Sequence, residues 1–187
     1  MIASPLHRLD CCLVTDGGGC VVVVSPDIAQ SIPKEPIWLL GQGESHSHAQ
    51  ISEMPELTIT PAKESGERAF KMAGVKHGDL DVVEIYDSFT ITVLLTLESL
   101  GFCKPGTSGE FVSNGRTGPG GEFPLNTNGG GLSYCHPGQY GIFLLIESVR
   151  QLRNECGERQ VPNATLAMAS GTGGVLSSSS TCILGLD

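Results

Sequence analysis

The chain has 187 residues, 40% of them apolar and 17% charged, enough for one buried core and incompatible with a disordered or collagen-like polypeptide. Twenty acidic residues against 11 basic ones give a net charge of −9 with no Lys/Arg cluster, which excludes a phosphate-backbone binder of nucleic acid. The longest apolar stretch, 91–97, is interrupted by Thr92 and Thr96 and falls far short of the roughly 20 residues of a membrane span.

In chain order, the first element is the run Cys20-Val21-Val22-Val23-Val24, opened by Asp16-Gly17-Gly18-Gly19. A continuous β-branched run predicts a strand buried on both faces. Pro26, Pro33 and Pro36 then mark a short helical turn and a linker, with a domain boundary near residue 35. A second strand is expected at 37–41. Thr60-Pro61 reads as an N-cap followed by proline in the first turn. The helix it opens runs to Ala73 and stops at Gly74, burying Ala62, Ala69, Phe70 and Ala73. A strand follows at 80–86. Asp87-Ser88 then caps a helix over 89–100 that ends at Gly101. A third helix spans 140–153, with Ile142, Leu145, Ile146 and Val149 at helical spacing. Two last strands, 164–169 and 176–184, flank Gly171-Thr172-Gly173-Gly174. Five strands alternating with helices imply a layered α/β fold, a mixed sheet with helices on both faces.

The seven cysteines are odd in number and contain no CxxC pair, so neither a disulfide framework nor a zinc site is indicated. Most of them read as small core residues in a reducing compartment. Residues 1–8 lack the apolar core of a signal peptide, and a cytoplasmic location is expected. His46 and His48 share one side of a strand with no cysteine to complete a metal set; an exposed loop is the simpler reading.

Three segments concentrate chemistry. Twelve of the 25 glycines lie between Gly101 and Gly141. The densest stretch reads Asn126-Thr127-Asn128-Gly129-Gly130-Gly131-Leu132-Ser133-Tyr134-Cys135-His136-Pro137-Gly138. Its glycines admit a close approach and offer main-chain donors, and His136 lies near a helix start. A packed turn with a structural histidine is the alternative. The second segment, Glu84-Ile85-Tyr86-Asp87-Ser88-Phe89, sits at the carboxyl end of a strand, where open α/β sheets place ligands. There the alternative is a helix cap beside an exposed phenol. The third, Ala169-Ser170-Gly171-Thr172-Gly173-Gly174, is either a tight turn bringing amides to a reaction centre or a plain hairpin.

In this order the three segments resemble the C-terminal half of thiolases, and the resemblance runs from Asp16-Gly17-Gly18-Gly19 to the end. It matches Tyr86-Asp87-Ser88-Phe89 to an Asn-Glu-Ala-Phe motif, Cys135-His136-Pro137 to Gly-His-Pro, and Ala169-Ser170-Gly171 to Cys-x-Gly. Three departures stand out. Tyr86 occupies the place of the water-positioning asparagine, and Ala169 or Ser170 that of the acid/base cysteine. The nucleophilic cysteine of the family belongs to a first half. The pair Tyr86 and Tyr134-Cys135-His136-Pro137-Gly138 resembles the sterol-carrier-type and lipid-transfer-protein branch, which includes aldolases of steroid side-chain coenzyme A thioesters.

The resemblance implies a thiolase-like fold over 36–187 and, in 1–35, the end of a preceding half with its strand at 20–24. It implies cleavage of an acyl-CoA thioester by a retro-aldol reaction, with Tyr86, Tyr134 and His136 catalytic. Substrate contacts fall to Asp87, Asn128, Gly129, Gly130, Gly171 and Gly173. No cofactor is implied beyond the coenzyme A of the substrate, and no metal. The implied partners are a second copy of the chain, forming a homodimer, and a small OB-fold protein. The open rivals are an acetyl-CoA acetyltransferase-type thiolase and a non-catalytic acyl- or lipid-binding module.

Overall fold

The computed structural model describes residues 1–186. Its frame is a mixed sheet of β1 (Trp38–His46), β2 (Val82–Ile85), β3 (Leu166–Gly173) and β4 (Ser178–Gly185). The strands lie in the order β1-β4-β3-β2. β2 and β3 are parallel, from Val82 opposite Ala167 to Ile85 opposite Ser170. β3 and β4 form an antiparallel hairpin, and β1 pairs antiparallel with β4.

Two helices cover one face. The first, α2 (Ala62–Ala73), follows the short α1 (Pro26–Ser31), and the second is α3 (Thr90–Leu100), after which two single-turn helices, α4 (Ser108–Phe111) and α5 (Gly130–Ser133), lie in the glycine-rich stretch. Both stop where the sequence says they should, at Gly74 (φ 71°) and Gly101 (φ 85°), left-handed positions that cost glycine little. Ala62, Ala69, Phe70, Val93, Leu97 and Leu100 pack on Val83, Ile85, Met168 and Ile183 of the sheet. Complete burial of Leu97 or Ile85 is worth roughly 1.5–3 kcal/mol each. Under α2 the strand β1 presents Gly41, Gly43 and Ser45 inward. A methyl group on Gly41 or Gly43 would strike the main chain of Ala69 or Ser65, so the helix lies directly on the strand backbone. The opposite face carries α6 (Gly141–Leu152), which packs Leu145, Val149 and Leu152 on Val82, Ala167 and Leu184. The layered α/β arrangement with helices on both faces is therefore present.

Among the described residues the sheet has four strands rather than five. The missing one is the expected strand at 20–24. Among the described residues it has no ladder partner, and Val22 and Val23 are 83% and 86% exposed. A β-branched run favours an extended chain, but a strand also needs a neighbour, and this chain places none beside it. At the other edge β2 gains a single parallel bridge between Val83 and Leu125. Val83 donates its N–H to the Pro124 carbonyl (3.0 Å) and accepts the Asn126 N–H (3.0 Å). The Asn126 side chain then pairs with both main-chain groups of Ile85, accepting its N–H at 2.7 Å and donating to its carbonyl at 2.9 Å. Pro124 has no N–H, so the ladder does not extend further on that side.

Two local expectations change. Gly171-Thr172-Gly173 belongs to β3, opposite Ser180, Ser179 and Ser178. The turn comes later, at Gly174 (φ 61°), closed by the Ser177 N–H on the Gly173 carbonyl. Neither Asp87 nor Ser88 caps α3, which has no side-chain cap bond. Of the seven cysteines, all free, Cys135 and Cys156 are buried, Cys20 is exposed and the other four are half-buried. His46 pairs with Glu44 (3.0 Å), and His48 with Ser47 and the Val175 carbonyl. No helix among the described residues is long and apolar enough to cross a membrane.

Candidate active site

Alternation along β2 turns Val83 and Ile85 toward α2 and α3, and Val82, Glu84 and Tyr86 toward α6. The Tyr86 N–H donates to the Ser170 carbonyl at 2.9 Å, which continues the β2–β3 ladder and fixes Tyr86 at the carboxyl end of the strand. The next residue points elsewhere. Asp87, 2% exposed, accepts the N–H groups of Gly131 (2.6 Å) and Leu132 (3.1 Å), at the first turn of the short helix α5 (Gly130–Ser133). Burial pushes its carboxyl above the usual range, against the pull of those amides. Two convergent amides are better partners than α3 offers, which is why Asp87 leaves the helix it was expected to cap.

The triple glycine serves this contact. Gly130 has φ 64°, and a side chain there would run into the Asp87 carboxylate. A methyl on Gly131 would lie 2.8 Å from Cδ2 of His136 and 3.1 Å from Oδ1 of Asp87. Asn128 Oδ1 accepts the Gly130 N–H (2.8 Å) and the Tyr140 hydroxyl (3.0 Å). The Gly129 N–H donates to the Asn126 carbonyl at 2.8 Å. Asp87 thus holds Gly131 and Leu132, Asn128 holds Gly130 and Tyr140, and Gly129 is tied to Asn126, while Gly171 and Gly173 sit in β3 opposite Ser180 and Ser178.

What this loop presents is an aromatic cluster. The rings of Tyr86 and His136 meet edge-on with centroids 5.5 Å apart, and Tyr86 meets Tyr140 the same way at 5.9 Å. His136 lies nearly parallel to Tyr140 at 6.2 Å, and Tyr140 stacks on Phe143 at 5.5 Å. Tyr140 is fully buried, and burial pushes its phenol further above its ordinary pKa. The Tyr86 hydroxyl donates to the Gly138 carbonyl (3.5 Å) and accepts the Tyr140 N–H (3.4 Å). His136 Nε2 is buried and has no hydrogen-bond partner among the described residues. An unsatisfied buried donor costs about 1–3 kcal/mol, so this nitrogen is the group of the cluster with unused binding capacity.

Tyr134 lies apart. It caps the end of α5, is 53% exposed, and lines a cavity of about 180 Å³ with Asn128, Phe143, Ile146, Glu147, Arg150 and Arg159. Cys135 is buried with its sulfur against Gly17.

Behind the cluster lies a buried polar network that sequence reasoning missed. Glu84 Oε1 accepts the main-chain N–H (3.1 Å) and hydroxyl (2.8 Å) of Thr127, while its Oε2 has no partner among the described residues. Glu147 on α6 lies 2.8 Å from the same hydroxyl and is held by Arg159 at 2.9 and 3.1 Å. Desolvation pushes the Glu84 carboxyl up to about 8, partly offset by Thr127 and reinforced by the Glu147 and Asp87 charges. Burial also raises Glu147, but Arg159 and Thr127 outweigh it and hold that carboxyl below its ordinary value. The signal was available: Glu84 is the one charged residue in an otherwise apolar strand. Tyr140, expected as the first residue of a helix and found as its N-cap, gave no such sign.

A histidine loop held against the carboxyl end of a strand in a two-faced mixed sheet places the chain among thiolase-like folds. The chain belongs to the thiolase C-terminal domain-like family, which matches residues 43–186. It is 35% identical over 176 residues to an acetyl-CoA acetyltransferase of Methanothermobacter thermautotrophicus, covering 93% of this chain and 46% of that protein. It is also 35% identical over 184 residues to a steroid side-chain-cleaving aldolase of Thermomonospora curvata, covering 92% and 45%. The solved structure of the Ltp2-ChsH2(DUF35) aldolase superposes with a TM-score of 0.88 at 32% identity, over 99% of this chain and 48% of that one. The chain thus spans about half the length of the curated relatives it matches.

Proposed function

We propose that the chain is the C-terminal half of a thiolase-like enzyme that cleaves a carbon–carbon bond in an acyl-CoA thioester by a retro-aldol reaction. The observation that carries this reading is the buried, unpartnered Nε2 of His136 beside Tyr86 at the strand end. In the reaction a base removes the proton of a β-hydroxyl, the Cα–Cβ bond breaks, and the Cβ–O bond becomes a carbonyl. The electron pair of the broken bond passes into the thioester as an enolate, which is then protonated at Cα. His136, as the Nε2–H tautomer, donates to the enolate oxygen. One such donor is worth about 3–4 kcal/mol in the transition state. No covalent nucleophile is required.

Two phenols stand ready for the proton. The Tyr86 hydroxyl is engaged with main-chain groups, whereas the Tyr134 hydroxyl makes no hydrogen bond among the described residues and its side chain is open to solvent. Tyr134 is therefore assigned the proton transfer and Tyr86 the packing and orientation of His136. The acyltransferase alternative draws on the acetyl-CoA acetyltransferase relative. It lacks a thiol where the Cys-x-Gly motif falls: Ala169 and Ser170 are buried in β3, with the Ser170 hydroxyl 3.0 Å from that of Thr181.

With its preceding half supplied, the enzyme should split a β-hydroxyacyl-CoA into a carbonyl compound and a shortened thioester. Tyr134→Phe should cut kcat about 100-fold with little change in KM, the usual contribution of a general acid–base group. Cys135→Ala should keep most of the activity. Full activity in Tyr134→Phe, or an acyl-enzyme trapped on Cys135, would transfer the assignment to a thiolase.

Residues 1–35 are proposed as the end of the preceding half, whose sheet would cover Val22 and Val23. The steroid in the name of one relative suggests a lipid or steroid side chain as the acyl group. The two-component name of the solved aldolase supports a partner protein, which we propose is the small OB-fold protein that the resemblance implies. The isolated chain is expected to form a homodimer through the exposed residues around Ile2, Leu13 and Val21 to Val24. Sedimentation that finds a monomer at all concentrations, with a melting temperature independent of concentration, would count against the dimer.

A further inference from the structure

We propose that Thr15 is a positioning residue for His136, the anchor of a strap formed by residues 10–15. The strap lies outside the matched family domain of residues 43–186, yet it bonds to both site loops. Asp10 accepts the Thr90 hydroxyl at 2.9 Å, and Cys11 forms an antiparallel bridge with Phe89. The Cys12 N–H donates to the Ser88 carbonyl (2.9 Å), and that of Leu13 to the Gly131 carbonyl (3.0 Å). The strap ends where Thr15 Oγ1 accepts the main-chain N–H of His136 at 2.8 Å. Beyond it, Gly17 packs on Cys135 and Phe143, close enough that a side chain would strike the sulfur.

The bond to Thr15 holds the backbone at His136 itself, where the loop's other tie, the Tyr86 hydroxyl on the Gly138 carbonyl, is two residues away and 3.5 Å long. Among the described residues, no other main-chain N–H between Cys135 and Tyr140 has a partner. The same stretch contains Pro137, which has no N–H, and Gly138 at φ 87°. A loop of this kind does not hold an imidazole by itself, and a donor to a developing oxyanion needs placement within about 0.5 Å. Packing supplies one coordinate, since the ring edge rests over Gly131. Thr15 supplies the other by fixing the backbone from which the ring departs. The strap thereby ties the Tyr86–Phe89 loop and the Gly129–His136 loop into one unit.

This inference rests on reading His136 as the donor to substrate, so the experiment separates the two. Amide hydrogen exchange on the 15N-labelled 187-residue chain tests the anchor directly. In the wild type the His136 amide should be protected while those of Gly138 and Gln139 exchange freely. Thr15→Val, which keeps the shape and removes the acceptor, should speed His136 exchange about tenfold or more. It should also shift the His136 imidazole 15N resonances, and Thr15→Ser should restore both. A wild-type His136 amide that exchanges as fast as Gly138 overturns the proposal even if no variant folds. So does a folded Thr15→Val chain with unchanged exchange and imidazole signals. The second arm is turnover with the preceding half supplied: Thr15→Val should lower kcat about tenfold, leave KM in place, and be rescued by serine. A freed His136 with unchanged turnover supports the anchor and overturns instead the catalytic reading of His136.

Discussion

Replacing His136 by alanine, with the preceding half supplied, is expected to slow cleavage of a β-hydroxyacyl-CoA about 100- to 1,000-fold while KM stays within about threefold. The size follows from the position of Nε2, the buried nitrogen that finds no partner among the described residues. A donor left idle in the folded chain and used only as charge develops acts on the transition state more than on the ground state. His136→Gln separates this role from packing, because it keeps an N–H donor while giving up the contacts with Tyr86 and Tyr140. Glutamine should recover part of kcat, and alanine none. Single-turnover rates that are equal for the wild type and both variants would remove His136 from the chemistry.

The second large effect concerns stability and pH. Glu84 keeps its proton in the folded chain up to about 8, whereas in the unfolded chain it ionises near 4.5. Between those values the native state holds a proton that the unfolded state has released, so stability falls as pH rises. The slope approaches about 1.4 kcal/mol per pH unit and vanishes above the folded value, where both states are ionised. Glu147 acts in the opposite sense: its carboxyl is held below the ordinary range, so its contribution is present at neutral pH and lost on acidification. Glu84→Gln keeps the shape and a hydrogen-bonding group but cannot titrate. Denaturant unfolding of this variant should show a clearly shallower decline of stability from about pH 5 to about pH 8 than the wild type. Any remaining slope of that sign comes from Asp87, whose carboxyl is also raised by burial. A wild type that is equally shallow there would show that Glu84 is ionised in the folded chain.

Local chemistry made much of this fold readable. The ends of α2 and α3 were set by Gly74 and Gly101, and the inward stripe of α6 by its spacing. What escaped was non-local. Cys20 to Val24 has the composition of a strand, but pairing depends on a neighbour that composition does not reveal. Gly171-Thr172-Gly173 reads as a turn because glycine permits one, yet three small serines opposite let the ladder continue. In the site, Tyr86 and His136 were suggested together by the order of their motifs, and their rings do meet. Asp87 was misplaced as a cap because its true partners, Gly131 and Leu132, lie more than forty positions away. Thr15 offered no signal, since a threonine ahead of a glycine run looks like any other.

The Asn126 side chain has a consequence for the solution behaviour of the chain. On the outer side of β2, Val83 is taken up by Pro124 and Asn126, and Ile85 by both ends of one carboxamide. An amide side chain has stopped the lattice of the sheet as a terminator stops a polymer. A foreign β-segment arriving there finds its docking groups already occupied, so fibril growth or strand exchange is closed along that border. The exposed valines at 22 and 23 have no such guard. If preparations of the chain precipitate, the nucleus will lie in that stretch, and charged substitutions there will delay it where substitutions around Leu125 will not.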